Sequence, residues 1–171
     1  MSRDGKVQLR GLRHIGMHSR NPAALAEFYR DVLGMQVVGG SGEDSPFGAS
    51  TFLSSRPGEE SHEIVLFANP DLRHAAFRVA SLADLRASYR SVVELGVTIK
   101  VALNHGVSLA FYFDDPEGHV IEVYWATGLD FGQPYGHPID LTRAEEELLR
   151  DVADLAAREG IAWSSPEDVS A

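Results

Sequence analysis

The chain has 171 residues, 44% of them hydrophobic and 23% charged, which is enough for one domain with a hydrophobic core. The formal net charge of −10 argues against nucleic acid as a partner, because phosphate binding needs clustered Lys and Arg. The chain has no cysteine, which excludes disulfides, thiolate metal ligands and a cysteine nucleophile. Any metal site must therefore use His, Asp or Glu.

The N-terminal residues 1–10 are polar and are predicted to form a tail without the apolar segment of a signal peptide. No apolar run approaches the roughly 20 residues that a membrane helix needs. We therefore expect a cytoplasmic protein that has no membrane partner.

An imperfect internal repeat organises the rest of the sequence. Short segments recur after 60 to 62 positions: Leu12-Arg13-His14 as Leu72-Arg73-His74, Tyr29-Arg30 as Tyr89-Arg90, and Leu33-Gly34 as Leu95-Gly96. The repeat predicts two related modules, 11–70 and 71–125, which together make a single domain. Residues 126–171 follow as a C-terminal extension.

The first module is predicted as a strand, a helix and three further strands. A short strand covers residues 14–18. Asn21 and Pro22 are typical of a helix start, as N-cap and first helical residue, and Gly34 is typical of a helix end. Loops rich in Gly, Ser and Pro separate the strands that follow, at 35–38, 49–54 and 62–67.

The second module repeats this order. A strand at 74–80 precedes a helix that Ser81 caps and that ends before Gly96. Two of the later strands are joined by a tight turn of the sequence DDPEG. The three later strands are predicted at 97–103, 108–113 and 119–125.

The C-terminal extension has a different character. Residues 126–141 contain Gly and Pro without periodic apolar positions, so we expect an extended segment over the surface, with a lid over a pocket as the alternative. Thr142 and Glu145 match a capping box, which predicts a helix over about 142–159 that Gly160 ends.

Three residues are candidate metal ligands: His14, His74 and Glu122. The two histidines open the first strand of each module, and strands related in this way can pair near an approximate two-fold axis. Glu122 lies within an apolar strand, where a charge is costly unless it is paired or bound to metal. A single strand histidine is more often a core or surface residue, but the joint placement favours a site. Two His and one carboxylate with open positions suit iron(II) and O2 chemistry.

The doubled module, with the sequence DPEG before a final IEVYW strand, resembles the vicinal oxygen chelate superfamily over residues 11–125. That superfamily includes glyoxalases, epimerases, fosfomycin-modifying enzymes, bleomycin-binding proteins and type I extradiol dioxygenases. The resemblance implies an α+β fold in which two tandem βαβββ modules form one cupped mixed sheet around the metal, followed here by a C-terminal helix. It also implies a homo-oligomer.

Three further residues resemble the extradiol dioxygenase branch. His62 matches the segment that carries the acid–base histidine of those enzymes. His105 lies in the sequence NHGVS, which resembles their DHGVS, with Asn104 in place of the usual Asp. Tyr112 precedes Glu122 by ten residues, which is the spacing of a tyrosine in that branch.

The resemblance implies an extradiol dioxygenase that cleaves a catechol with O2 and iron(II), or alternatively manganese(II), to a muconic semialdehyde-type product. His62 would transfer protons, His105 would hydrogen-bond a substrate oxygen, and Tyr112 would favour the catechol monoanion. The implied substrate is a small aromatic diol.

Two alternatives stay open. Glyoxalase-like relatives have a fourth ligand that falls by alignment at Val65, which cannot bind metal, but Glu63 lies on the same strand face. If Glu63 reached the metal, an isomerase or epimerase would be favoured. A metal-free binding protein of the bleomycin-resistance kind is the other alternative, and it leaves the three candidate ligands without a purpose. The remaining histidines are expected at the surface or in loops: His18, His119 and His137.

Overall fold

The structure is a computed structural model that describes residues 8–57, 59 and 61–166, so the first seven residues of the predicted tail lie outside the described residues. The described chain contains three α-helices and nine strands. Their bounds, in chain order, are β1 Leu9–His18, α1 Pro22–Leu33, β2 Gln36–Ser41, β3 Ser50–Ser54, β4 Ile64–Phe67, β5 His74–Val79, α2 Leu82–Glu94, β6 Ile99–Asn104, β7 Ser108–Asp114, β8 Val120–Ala126, β9 His137–Pro138 and α3 Glu145–Arg158.

The strands form one mixed sheet in the order β2-β3-β4-β1-β5-β8-β7-β6-β9. Both modules have the predicted order of strand, helix and three strands, so the prediction of an α+β fold with two βαβββ modules and a C-terminal helix is confirmed. The predicted strand starts were less accurate. β1 begins at Leu9, five residues before the predicted start, so Leu9 and Arg10 belong to the sheet and not to a tail.

The chain folds as two compact units, the first of which contains Leu12–Ala76 together with Gly132–Pro134. In this unit the predicted helix signals hold. The side chain of Asn21 accepts a hydrogen bond from the backbone of Ala24 at 3.1 Å, and Gly34 ends α1 in the left-handed conformation. α1 packs on the strands through a small apolar cluster of Ala26, Met35, Leu53 and Leu66.

The second unit contains Phe77–Phe131 and the described residues from Tyr135 onward. Ser81 caps α2 by accepting a hydrogen bond from the backbone of Asp84 at 3.0 Å. The unit has the larger core, to which β5, α2, the strands β7 and β8, and α3 all contribute. Its most buried members include Val79, Leu82, Leu85, Phe111, Trp125, Leu148 and Val152.

The predicted cap of α3 was wrong. The N-cap is Ala144, and the carboxylate of Glu147 accepts a hydrogen bond from the backbone of Ala144 at 3.1 Å. The hydroxyl of Thr142 instead donates to Asp140 at 2.7 Å, in a turn two residues upstream. Glu145, Glu146 and Glu147 occupy the first turn of α3, where negative charge is favourable.

The extension between the sheet and α3 contains a strand that the sequence did not predict. β9 pairs antiparallel with β6, with Asn104 opposite His137 and Leu103 opposite Pro138. Two residues of ladder are too short to produce a periodic pattern in the sequence. Among the described residues, every helix is too short or too polar to cross a lipid bilayer.

Candidate metal centre

Two imidazole rings meet edge to edge in the first unit. β1 holds His14 with 7% of its surface exposed, and His74 is the first residue of β5. Their Nε2 atoms lie 3.1 Å apart. The Nδ1 of His74 donates a hydrogen bond to the carbonyl of Leu72 at 2.7 Å, which leaves the Nε2 of the neutral ring with a lone pair.

Glu122 is the third member of the group. It lies on β8 with 2% of its surface exposed, opposite Tyr112 on β7. One ligand atom from each of His14, His74 and Glu122 lies within 4.8 Å of the ligand atoms of the other two. The structure thus brings the three predicted ligand candidates together.

The geometry of this group fits a divalent metal. If the Nε2 atoms of His14 and His74 both carry lone pairs, they repel at 3.1 Å unless a cation lies beside them. Two nitrogens bound to one metal at about 2.1 Å and at right angles would be about 3.0 Å apart. Nitrogen and carboxylate donors without sulfur suit Fe²⁺, Mn²⁺ or Zn²⁺. The hydrogen bond from His74 to a carbonyl is the outer contact that metal-binding histidines commonly make.

Gly16 is a residue of this site that the sequence analysis missed. A Cβ at this position would lie 2.8 Å from both Cε1 and Nδ1 of His74 and 3.1 Å from the carbonyl of Leu72. Only glycine therefore leaves room for the imidazole beside β1. A glycine inside a strand, two residues after a candidate ligand, was the available signal, because such glycines often mark a close approach of other groups.

His62 lies next to the two imidazoles, in the loop that leads into β4. It is 9% exposed, and its ring centroid is 4.3 Å from that of His14 and 5.0 Å from that of Phe52. Its Nδ1 is 3.0 Å from the hydroxyl of Ser61. A polar ring packed between an aromatic side chain and a candidate ligand is well placed for proton transfer at the centre.

His105 and Tyr112 form a second pair, in the second unit. The Nδ1 of His105 donates to the carbonyl of Tyr135 at 2.6 Å, and its Nε2 lies 2.9 Å from the hydroxyl of Tyr112. Burial raises the pKa of Tyr112 well above its usual range, and the charge of Glu122 and a hydrogen bond to it act in the same direction. Tyr112 is therefore a neutral phenol whose single O–H can be donated to one acceptor at a time.

Glu63 does not point toward the candidate ligands. Its carboxylate accepts hydrogen bonds from the backbone and hydroxyl of Ser55, at 2.6 and 2.5 Å, and pairs with Arg56 at 2.9 Å. Val65, at the position where a fourth ligand was expected, is 1% exposed and packs with Phe52. Among the described residues, the group of possible metal ligands contains three members and neither of these.

The remaining histidines are exposed, in agreement with their expected surface or loop positions. The Nδ1 of His119 lies 2.9 Å from the carboxylate of Asp115, in the turn before β8. His18 ends β1, and His137 lies in the short strand β9 and not in a lid loop.

A family model described as the glyoxalase/bleomycin resistance protein/dioxygenase superfamily matches residues 11–123. Biphenyl-2,3-diol 1,2-dioxygenase 3 from Rhodococcus globerulus is 31% identical over 124 residues, which are 66% of this chain and 61% of that protein. The chain thus spans less than two thirds of the length of this relative.

Two solved structures are similar in fold. The first is 2,2',3-trihydroxybiphenyl 1,2-dioxygenase from Sphingomonas wittichii strain RW1, with a TM-score of 0.56 and 21% identity, over 77% of this chain and 45% of that one. The second is a Mn(II)-bound glyoxalase from Novosphingobium aromaticivorans, with the same TM-score and identity, over 78% of this chain and 43% of that one. At this identity the likeness describes the fold, and it does not separate the two chemistries.

We predict that Gly16→Ala weakens metal binding by about tenfold or more, because the added methyl group displaces the ring of His74. Gly42→Ala is the matched control, since a Cβ there meets nothing within 4 Å. Anaerobic calorimetric titration with Mn²⁺ measures both affinities. Equal affinities in two folded variants would contradict the assigned role of Gly16.

Glu63 should make stability depend on pH. Hydrogen bonds from Ser55, with a contribution from Arg56, lower the pKa of Glu63 from its usual 4.5 to about 2. Because the folded pKa is depressed, the stabilisation is present above pH 4.5 and is lost as the pH falls toward 2. We predict that Glu63→Gln lowers the free energy of unfolding at neutral pH by about 1–2 kcal/mol, allowing for partial exposure.

Urea unfolding at a series of pH values tests this, with Glu59→Gln as the control, because Glu59 pairs with the same Arg56 at 3.1 Å but is 69% exposed. The deficit of Glu63→Gln should shrink as the pH is lowered. A deficit that is the same at all pH values, or equal in the two variants, would show that the ionised carboxylate is not the cause.

Proposed function

Because the chain belongs to the glyoxalase/bleomycin resistance protein/dioxygenase superfamily, we propose that it is an extradiol dioxygenase. It cleaves the ring of a small aromatic diol with O2 and gives a muconic semialdehyde-type product. The observation that carries the proposal is that the ligand atoms of His14, His74 and Glu122 lie within 4.8 Å of one another. Among the described residues, this group has no fourth protein ligand.

These three residues would hold iron(II), or alternatively manganese(II). Three protein ligands leave coordination positions open on an octahedral metal, and a bidentate catecholate together with O2 would fill them. When bound, iron(II) supplies a centre that chelates the diol and passes electron density to O2. Glu63 is held by Ser55 and Arg56, which argues against a four-ligand isomerase site.

The protein's own side chains divide the remaining work. His62 lies against His14 and can hold or release a proton on a ring nitrogen, as acid–base catalysis requires. Tyr112 remains protonated, and its single O–H can turn to a substrate oxygen when a diol binds, which favours the singly ionised diol. While no substrate is bound, the Nε2 of His105 accepts the hydrogen bond of Tyr112 and so holds that hydroxyl in place.

The substrate class rests on the relatives. Biphenyl-2,3-diol 1,2-dioxygenase 3 is named for an aromatic diol whose hydroxyl groups are adjacent. 1,2-Dihydroxynaphthalene is the diol in the name of a second relative, from Pseudomonas putida. A diol with vicinal hydroxyl groups on an aromatic ring is therefore the class proposed for this chain.

We expect wild-type protein that is reconstituted anaerobically with iron(II) to turn at least one member of a catechol panel into a yellow ring-cleavage product when O2 is admitted. His74→Ala should give no product, because it removes one of the two nitrogen donors. Absorbance of the product, oxygen uptake and metal content are measured together.

The outcomes separate the alternatives. Stoichiometric metal in the wild type without product from any catechol would overturn the proposal in favour of an isomerase-type reaction. A wild type that binds no metal would favour a binding protein. Full activity in His74→Ala would show that the ligand set is wrong.

A second prediction concerns His62. His62→Gln should lower kcat by about 10²-fold or more with the metal content unchanged, because the variant cannot transfer a proton. His119→Gln is the matched control, since His119 is 73% exposed and lies in a surface turn. Steady-state kinetics and metal analysis of both variants check this, and equal kcat values would remove His62 from the catalytic set.

A further inference from the structure

We infer that the C-terminal extension, which lies beyond the residues that the family model matches, belongs to the active site because it fixes the tautomer and direction of His105. The residues that do so are Thr127, Phe131, Tyr135 and Trp163, here called the C-terminal clamp. The catalytic part of this inference rests on the proposed function, whereas the control of His105 does not.

The first element of the clamp is a backbone carbonyl. Tyr135 offers its carbonyl to the Nδ1 of His105 at 2.6 Å. A carbonyl only accepts, so Nδ1 carries the proton, and the Nε2 of the neutral ring is an acceptor. Nε2 lies 2.9 Å from the hydroxyl of Tyr112, which then donates. The carbonyl of Tyr135 therefore selects this tautomer.

The second element holds the turn that carries His105. Thr127 is fully buried, and its hydroxyl donates to the carbonyl of Gly106 at 2.5 Å. Its backbone nitrogen donates to the carbonyl of Val107 at 3.0 Å. The indole nitrogen of Trp163 donates in turn to the carbonyl of Thr127 at 2.7 Å, so the segment after α3 braces the same point.

The third element is a steric contact. Gly106 has a φ of +74°, and a Cβ there would lie 2.5 Å from Cγ of Phe131. The ring of Phe131 thus packs directly on the backbone beside His105. The same ring lies 4.8 Å from that of Tyr135, which links the packing to the carbonyl that His105 contacts.

These contacts give a structural role to residues 126–141, whose sequence has no periodic apolar pattern. Thr127, Phe131 and Tyr135 act on the turn at 104–107 or on the ring of His105. Trp163 holds Thr127 by donating to its backbone carbonyl. His105 then presents an acceptor to Tyr112 while no substrate is bound, and so holds the phenol at the position from which its single O–H can turn to a substrate oxygen. The clamp residues are positioning residues, since they act through His105.

The test uses Thr127→Val, which removes the hydroxyl with little change of shape, and Thr127→Ser, which retains it. Thr51→Val, at a buried threonine of β3 in the other unit, is the control. Nitrogen NMR of the histidine rings, recorded well above the ordinary histidine pKa of about 6.5, reports which nitrogen of His105 is protonated. This readout needs no metal and no turnover.

We expect wild type, Thr127→Ser and Thr51→Val to show the proton of His105 on Nδ1, and Thr127→Val to show a mixture of tautomers. With iron(II) and catechol, kcat/KM should fall by about tenfold or more in Thr127→Val, as misalignment of a positioned group does, and should recover in Thr127→Ser. Phe131→Ala removes the packing contact instead and should behave as Thr127→Val does. If Thr127→Val does not fold, the tautomer of His105 and the kcat/KM of Phe131→Ala test the inference instead.

An unchanged Nδ1 proton and unchanged kcat/KM in both Thr127→Val and Phe131→Ala would overturn the inference. A wild type that turns over no catechol would refute the proposed function instead. In that case the NMR comparison still decides whether the clamp controls His105, because it does not depend on the reaction.

Discussion

The carboxylate of Glu122 is the constraint around which the candidate site is arranged. Only 2% of this residue is exposed, and a carboxylate removed from water is costly unless charge or hydrogen bonds compensate it. The hydroxyl of Tyr112 lies within hydrogen-bonding reach of that carboxylate, and the imidazoles of His14 and His74 offer the nitrogen ligands that a shared cation would use. If His14, His74 or Glu122 were buried alone in an apolar sheet, its polar atoms would lose their hydrogen bonds to water without replacement.

The sequence predicted the parts of this arrangement that repeat. The recurrence of Leu-Arg-His after 60 positions marked both first strands, and the caps at Asn21 and Ser81 marked both helices. A charge in the last strand marked Glu122. Side-chain chemistry at regular spacing is visible in a sequence because helices and strands have fixed periods.

The features of the site that the sequence did not predict depend on backbone atoms and on the room that a missing side chain leaves. Gly16 matters because of the side chain that it does not have, and the carbonyls of Leu72 and Tyr135 belong to residues whose side chains have no role in the contact. The cap at Thr142 failed for a related reason. The hydroxyl of Thr142 donates a hydrogen bond to the carboxylate of Asp140, and local hydrogen bonds of this kind compete with helix capping.

The two solved structures of equal likeness, one a dioxygenase and one a glyoxalase, show how little the fold alone decides. The distinction proposed here depends on a few side chains. Val65 stands where a fourth ligand would be, and Glu63 is engaged by Ser55 and Arg56. A scaffold of two modules can therefore carry different reactions according to single positions on its strands.

The parallel pairing of β1 with β4 has a consequence for how the protein folds. Ile15 lies beside Ile64, so residues nearly fifty positions apart must meet before His62 can reach His14. Closing so long a loop loses chain entropy before any contact compensates it, and topologies of this kind fold slowly. We therefore expect the imidazoles to come together late in folding, so that a metal ion would bind a nearly native module and not the nascent chain.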